Sequence, residues 1–263
     1  MTNYLRQDLT HSRFEEVDFS QSRFHNVYFV DTVIRGAWLQ RVEIDGFIDD
    51  VSINGVDIGP LVEAELDRRD PDRTLVRPTD ADGFRRAWEV VVSRWDAPLQ
   101  RAKALPEGLL HERVDREWSF VETLRHLVFC TDAWVLRAVL GDPMPFHLLG
   151  LAHTEMPADI PAIPRAPDAR PGLEEILAVR RDRMRVVARV LDELTDERLE
   201  EMTEPVLEPG YPESASFSVR RCLRTVVNEE WQHREYAERD LGALEARVHR
   251  LGLDVEDTSV QGG

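Results

Sequence analysis

The sequence predicts a mainly α protein, a four-helix bundle set behind a short solenoid. Three observations predict it. Four long stretches carry apolar residues at helical spacing, and the first fifty residues repeat instead with a period of five. In the last of the long stretches, an apolar stripe runs into a glutamate and a histidine four positions apart. A helix turns about 100° per residue, so positions four apart share a face.

The front of the chain differs from everything after it. From Leu9 a large apolar residue stands at every fifth position: Leu9, Phe14, Phe19, Phe24, Phe29, Ile34, Leu39 and Ile44, with a small or β-branched residue two places before most of them. Five matches neither the 3.6 of a helix nor the 2 of a strand. Fixed-period self-similarity marks a solenoid, whose units bury their apolar residues against the next coil. The pattern resembles pentapeptide-repeat proteins, which implies a four-sided β-helix with the central Leu or Phe pointing inward, here of about two coils over residues 1–58. So short a solenoid is expected to dock on the following domain as a structural cap. It is too short for the DNA mimicry known among such proteins.

Residues 59–78 read as a short helix and a linker. Asn54-Gly55 between apolar residues signals a turn, and Pro60 suits the first turn of a helix reaching Arg69. The bundle is expected over 79–250. A capping-box shape at Thr79-Asp-Ala-Asp82 starts helix 1, with Phe84, Trp88, Val91, Val92 and Trp95 inward and a kink or early end at Pro98. Helix 2 starts at Ser119-Phe-Val-Glu122 and runs to about Leu140. A long proline-rich loop, Gly141 to about Pro171, carries His147 and His153, and loops of that length tend to be functional. Helix 3 spans about Leu173 to Leu194. After a second loop, Pro205 to Ser216, Ser218 caps helix 4, which runs from Val219 to about His249. The remainder, 251–263, is polar and expected to be disordered.

Composition narrows the function classes. With 263 residues, 42% hydrophobic and 32% charged, the chain has a real core. A net charge of -17 and the lack of a basic patch argue against nucleic acid as a partner. No stretch approaches a membrane span, and the polar start after Met1 has no apolar leader, so a cytoplasmic location is expected. Two cysteines in so long a chain make no disulfide framework. Gly-x-Ser-x-Gly, phosphate-loop and dinucleotide signatures are missing.

The chemistry concentrates on helices 2 and 4. Cys222, Val226, Glu229, His233 and Tyr236 form one stripe of helix 4, with Glu230 on the stripe beside it. His126 sits mid-helix among apolar residues of helix 2. One ligand from one helix and two from another, leaving an open position, is the layout of a catalytic metal site. Glu230 competes with Glu229 as the carboxylate, since sequence does not fix the helix rotation. Glu122, four before His126, is either a fourth ligand or the last residue of the capping box, and the cap is preferred. Cys130 is read as packing. His147 and His153 are further candidates from the loop, weighed against being surface residues.

The stretches Glu117-Trp-Ser-Phe-Val-Glu-Thr-Leu-Arg-His126-Leu, Asp132-Ala-Trp134 and Asn228-Glu-Glu-Trp-Gln-His233-Arg-Glu-Tyr-Ala237 resemble the DinB-like family. The resemblance covers roughly Asp80 to Leu244. It implies a mainly α fold, a DinB-like four-helix bundle behind the short pentapeptide-repeat β-helix, and often a homodimer. It also implies a divalent metal (zinc first, nickel or iron otherwise) held by a histidine of the second helix and a His-x3-His pair of the fourth. His126 and His233 match the outer two, and the middle histidine falls at Glu229, a departure that leaves open a different metal or a lost site. Two histidines and a carboxylate remain an accepted ligand set. Relatives include thiol transferases using mycothiol, bacillithiol or glutathione and a thiol-dependent isomerase. The expected function is therefore a metal-dependent S-transferase or isomerase acting on a small molecule, with a low-molecular-weight thiol as cosubstrate. The rival is a non-catalytic binding or scaffold protein with a degenerate site.

Overall fold

The computed structural model describes residues 3–153, 156–157 and 160–251, Leu251 by its backbone alone. Apart from that residue, the expected disordered tail lies outside the described residues. The chain divides into two compact units, residues 1–49 and 50–263.

In the first unit the period of five appears in the backbone. Arg6, His11, Glu16, Gln21, Asn26, Asp31 and Arg41 all take left-handed φ between 49° and 60°, and Gly36 continues the series at 66°. Left-handed residues occur singly at turns, so the chain bends at regular intervals. Between the bends, the rings of Phe14, Phe19, Phe24 and Phe29 meet edge to face at centroid separations of 5.7–5.8 Å. Yet no strand forms among the described residues of this unit, and none of them is buried. The expected β-helix with an enclosed apolar column is therefore not displayed. Its size explains this: so few repeats leave each coil without a neighbour on one side, and the apolar residues stay open to water.

The second unit begins with a hairpin, β1 (Ser52–Ile53) and β2 (Val56–Asp57), in the register Ser52 opposite Asp57 and Ile53 opposite Val56. Asn54 and Gly55 have φ of 52° and 79°, the two left-handed positions that a tight two-residue hairpin demands. Helix α1 (Gly59–Arg69) carries its proline in the first turn, as expected. A 3-10 turn, Pro71–Thr74, follows it. Residues 70–78 are not a free linker. Arg94 of the next helix holds Asp70 at 2.6 Å and Asp72 at 2.9 Å, tying this stretch to the bundle.

Helix α2 (Ala81–Lys103) starts from Asp80, whose carboxylate accepts the Gly83 N–H at 2.6 Å. The expected Thr79–Asp82 box is thus replaced by a cap one residue later, and Asp82 pairs with Arg85 instead. The helix continues through Pro98 without ending. Val92, expected inward, is exposed, one 100° step beyond the buried Val91. Helix α3 (Phe120–Thr131) has the full Ser119/Glu122 capping box, then continues as a π-helical segment, Asp132–Val139, rather than as one α-helix to Leu140. Wide π turns interrupt helices mostly at functional sites. Helices α4 (Leu173–Asp192), α5 (Asp196–Glu200) and α6 (Val219–Leu251) complete the unit, with Ser218 Oγ accepting from Arg221 N–H at the start of α6. No helix among the described residues is long and apolar enough to cross a membrane.

α2, α3, α4 and α6 enclose one core, in which Phe84 and Trp95 meet Leu124, Leu127, Ile176, Leu223 and Leu241, all nearly inaccessible. One ion pair lies inside it. Arg180 of α4 grips Glu230 of α6 with two bonds of 2.6 and 2.7 Å, and its guanidinium sits 4.6 Å above the Trp95 ring. Removing one partner of a buried pair strands a charge and costs about 3–5 kcal/mol, whereas apolar replacement of both is close to neutral. Glu230→Ala should therefore lose about that much stability in urea denaturation, and Arg180→Met combined with Glu230→Leu should recover most of it. An unaffected midpoint in Glu230→Ala would contradict the pairing.

Candidate metal centre

His126 is held by α3 with its ring buried, and Nδ1 lies 2.9 Å from the carbonyl oxygen of Leu151. A carbonyl only accepts, so Nδ1 carries a proton and donates it, and Nε2 is the nitrogen that faces into the bundle. What Nε2 faces is a carboxylate: Glu229 Oε2 stands 3.5 Å away, and the same oxygen is 3.1 Å from His233 Nε2. One donor atom from each of His126, Glu229 and His233 lies within 4.8 Å of the others, a group that could hold a metal ion. Either a proton on Nε2 or a metal ion between the two groups supplies the positive charge that this carboxylate faces. The donor set, two imidazoles and a carboxylate, fits a divalent ion, and the Nδ1–H bond to a backbone carbonyl is the usual outer support of a ligating histidine. Burial works against ionisation of Glu229, but the hydrogen bonds and charges of His126 and His233 outweigh it and hold the carboxyl well below the usual carboxylate range.

The other candidates are placed apart from this group. Glu230 is committed to Arg180, which resolves the choice between the neighbouring carboxylates. Glu122 accepts the Ser119 N–H in the capping box and is clasped by Arg113, so it is not a fourth ligand. His147 takes the Leu149 N–H on Nδ1, while its backbone N–H goes to Asp132 Oδ2 at 2.8 Å. It serves loop geometry there. His153 packs edge-on against Tyr211, which stacks on Phe129, which stacks in turn on His126. Two intervening rings thus separate it from the donors. Cys130 is buried, as a packing residue should be, but its Sγ also lies 3.2 Å from His126 Nε2, and burial raises its thiol well above the normal range.

Sequence reasoning missed the residues that build the walls. Trp118 lies over both histidines, 4.4 Å from the His126 ring and 5.8 Å from that of His233. It follows two left-handed residues, Asp115 and Arg116, at φ 48° and 72°, a costly backbone that fits a positioned side chain. The two long loops are fastened by arginines buried in α3 and its π segment. Arg125 donates to the carbonyls of Leu149 (2.9 Å), Ala169 (2.8 Å) and Ala166. Arg137 donates to those of Val206 (3.2 Å), Pro212 (3.3 Å) and Glu208. A Cβ at Gly210 would come within 2.7 Å of Arg137 Cζ, so a larger residue there would have to push the guanidinium aside. Asp132, fully buried on the same helix, adds a third anchor, binding Arg183 at 2.7 Å along with the His147 N–H. Burial pushes its carboxyl up to about 6 even though the Arg183 bond opposes the shift. A cue existed in the sequence: arginines inside apolar helical runs need carbonyls or acids to justify them.

Arg125→Met would keep the hydrophobic volume and leave several buried carbonyls without donors, at about 1–3 kcal/mol for each. Hydrogen exchange should then quicken around residues 147–151 and 166–169 while the middle of α6 stays protected. Uniformly faster exchange, or none, would show that the arginine does not hold the loop.

The DinB superfamily model matches residues 91–237, a stretch that contains all three donor residues and both loops. No curated protein matches the chain. The match covers more than half of the 263 residues and ends just past the acid–histidine helix pair, and the helical architecture agrees with it: the chain belongs to the DinB superfamily.

Proposed function

We propose that this protein is a divalent-metal-dependent enzyme that joins or transfers a low-molecular-weight thiol, of mycothiol type or a related one, to a small electrophilic substrate, as an S-transferase or a thiol-dependent isomerase. The observation that carries the reading is the convergence of His126, Glu229 and His233, one donor atom of each lying within 4.8 Å of the others. His126, Glu229 and His233 would hold the ion, with zinc the first choice and nickel or iron the alternatives. A divalent ion there supplies the positive charge that lets a thiol lose its proton at neutral pH.

The chain's own residues supply the rest. Leu151 O fixes the His126 tautomer through Nδ1–H. Trp118 covers the two imidazoles from one side. Arg125 holds the backbone at Leu149, Ala166 and Ala169, and Arg137 holds it at Val206, Glu208 and Pro212, so at these points a substrate meets chain that is already positioned. The 205–216 loop also brings Tyr211, whose phenol is held protonated chiefly by its burial. A protonated phenol can give a hydrogen bond to charge that develops on a substrate.

A second reading, a DinB-fold binding protein with a degenerate site, draws on the same Glu229. At 3.1 Å it could form a plain ion pair with a protonated His233. The two readings separate in one assay. Metal-loaded protein, given a soluble thiol and an electrophilic haloarene, should form the thioether, and His233→Ala should lower the rate at least about a hundredfold, the upper end of what outer-shell losses alone produce. Undiminished turnover in His233→Ala, or none in the wild-type chain with any thiol, would end the enzymatic reading.

A further inference from the structure

A cleft of about 300 Å³ lies on α6 next to the metal centre, and the three donors do not use it. Its lining includes Thr225 and Asn228, one turn and one residue before Glu229, together with Arg220, Arg221 and Arg224. No acid lines it, although the chain carries 50 acids against 33 lysines and arginines. Like charges three and four positions apart on a helix repel, so this cluster works against α6 rather than for it.

The three arginines differ in what they are free to do. Arg220 is committed to Glu200 at 3.0 Å and to the Thr79 carbonyl at 2.6 Å, and forms a wall. Arg221 lies over the Phe217 and Trp134 rings, its Cζ 5.0 and 5.9 Å from their centroids. Stacking holds a guanidinium by its face and leaves the N–H donors at its edge available. Arg224 is exposed and, like Arg221, has no carboxylate partner among the described residues. Asn228, exposed as well, adds an amide toward the metal centre. The helix end is not the attraction, because Ser218 Oγ already accepts the Arg221 N–H.

We propose that this cleft is an oxyanion site and, on the enzymatic reading above, that it holds the carboxylate or phosphate of the reactant whose other end meets the metal centre. Guanidinium groups with free edges match an oxyanion, which accepts paired N–H donors. At 1.5 Å per residue, Arg224 stands about 8 Å and Arg221 about 12 Å from Glu229 along the helix, the span of a small molecule. Glu229 is also the least buried donor, with 32% of its side chain exposed against 7% for His126 and 15% for His233. The centre is therefore most open at the donor nearest the cleft. With a net charge of -17 the protein repels acids in general, so an acidic reactant needs a local positive site.

Inorganic phosphate, titrated into the full-length protein in a calorimeter, should bind at low ionic strength and weaken as salt is added. Arg224→Gln, at an exposed position without an ion pair, should lower that affinity at least about tenfold, the loss of one charge-assisted hydrogen bond. His233→Ala should not change it, since the arginines and not an ion hold the phosphate. In turnover with a soluble thiol, the ratio of kcat/KM for chloronitrobenzoate to that for its methyl ester should fall at least about tenfold in Arg224→Gln. Phosphate that does not bind, that binds Arg224→Gln as tightly as wild type, or that is lost in His233→Ala would overturn the site. An unchanged acid-to-ester ratio would overturn its hold on the reactant. Phosphate bound at the arginines of a chain without turnover would end the enzymatic reading and uphold the oxyanion site.

Discussion

The rotation of α6 about its own axis is the constraint on which the rest depends, and the buried Arg180–Glu230 pair fixes it. A glutamate enclosed by the core is tolerable only with a cation held against it in good geometry, and Arg180 offers two bonds below 2.8 Å while stacking on Trp95. With Glu230 committed toward α4, Glu229 is turned by 100° toward α3, and His233, one turn further, shares its face. The histidine of α3 then stands opposite. A neighbouring ion pair thus decides which carboxylate reaches the candidate metal site.

The opposite wall shows how irregular chain is made into part of a site. Among their described residues the two long loops form no helix or strand, yet buried guanidinium groups gather their carbonyls. Arginine suits this task because its several N–H donors spread over one plane and can serve carbonyls from different segments at once. The cost is desolvation, which lowers the Arg125 and Arg137 pKa values, and the multiple bonds offset it. From the Leu149–Leu151 corner of the first loop come both the Arg125 contact and the carbonyl that orients His126, so loop anchoring and ligand orientation are one piece of structure.

Much of this was legible in the sequence. Helical periodicity located α1, α4 and α6 to within a few residues, since long amphipathic stretches with caps leave little freedom. Ser119 with Glu122 and Asn54 with Gly55 act through local chemistry and appear as expected. The convergence of His126, Glu229 and His233 followed from two stripes facing one core. What could not be read depends on distant partners. Nothing local distinguishes Glu229 from Glu230 until Arg180 is placed fifty residues away. Trp118, Arg125 and Arg137 acquire their roles only when the loops close over them. The first unit shows the reverse limit: its period was plain, but enclosure depends on how many coils exist to stack, and the period does not supply them.

The most direct test of the account is the metal content of protein purified without an affinity tag, comparing wild type with Glu229→Ala and His126→Ala by elemental analysis. About one equivalent of zinc, nickel or iron in the wild type, lost in both variants, is what three converging donors require. A wild-type chain that retains no metal after dialysis against each of these ions would contradict the account and leave Glu229 as a buried ion-pair partner of His233.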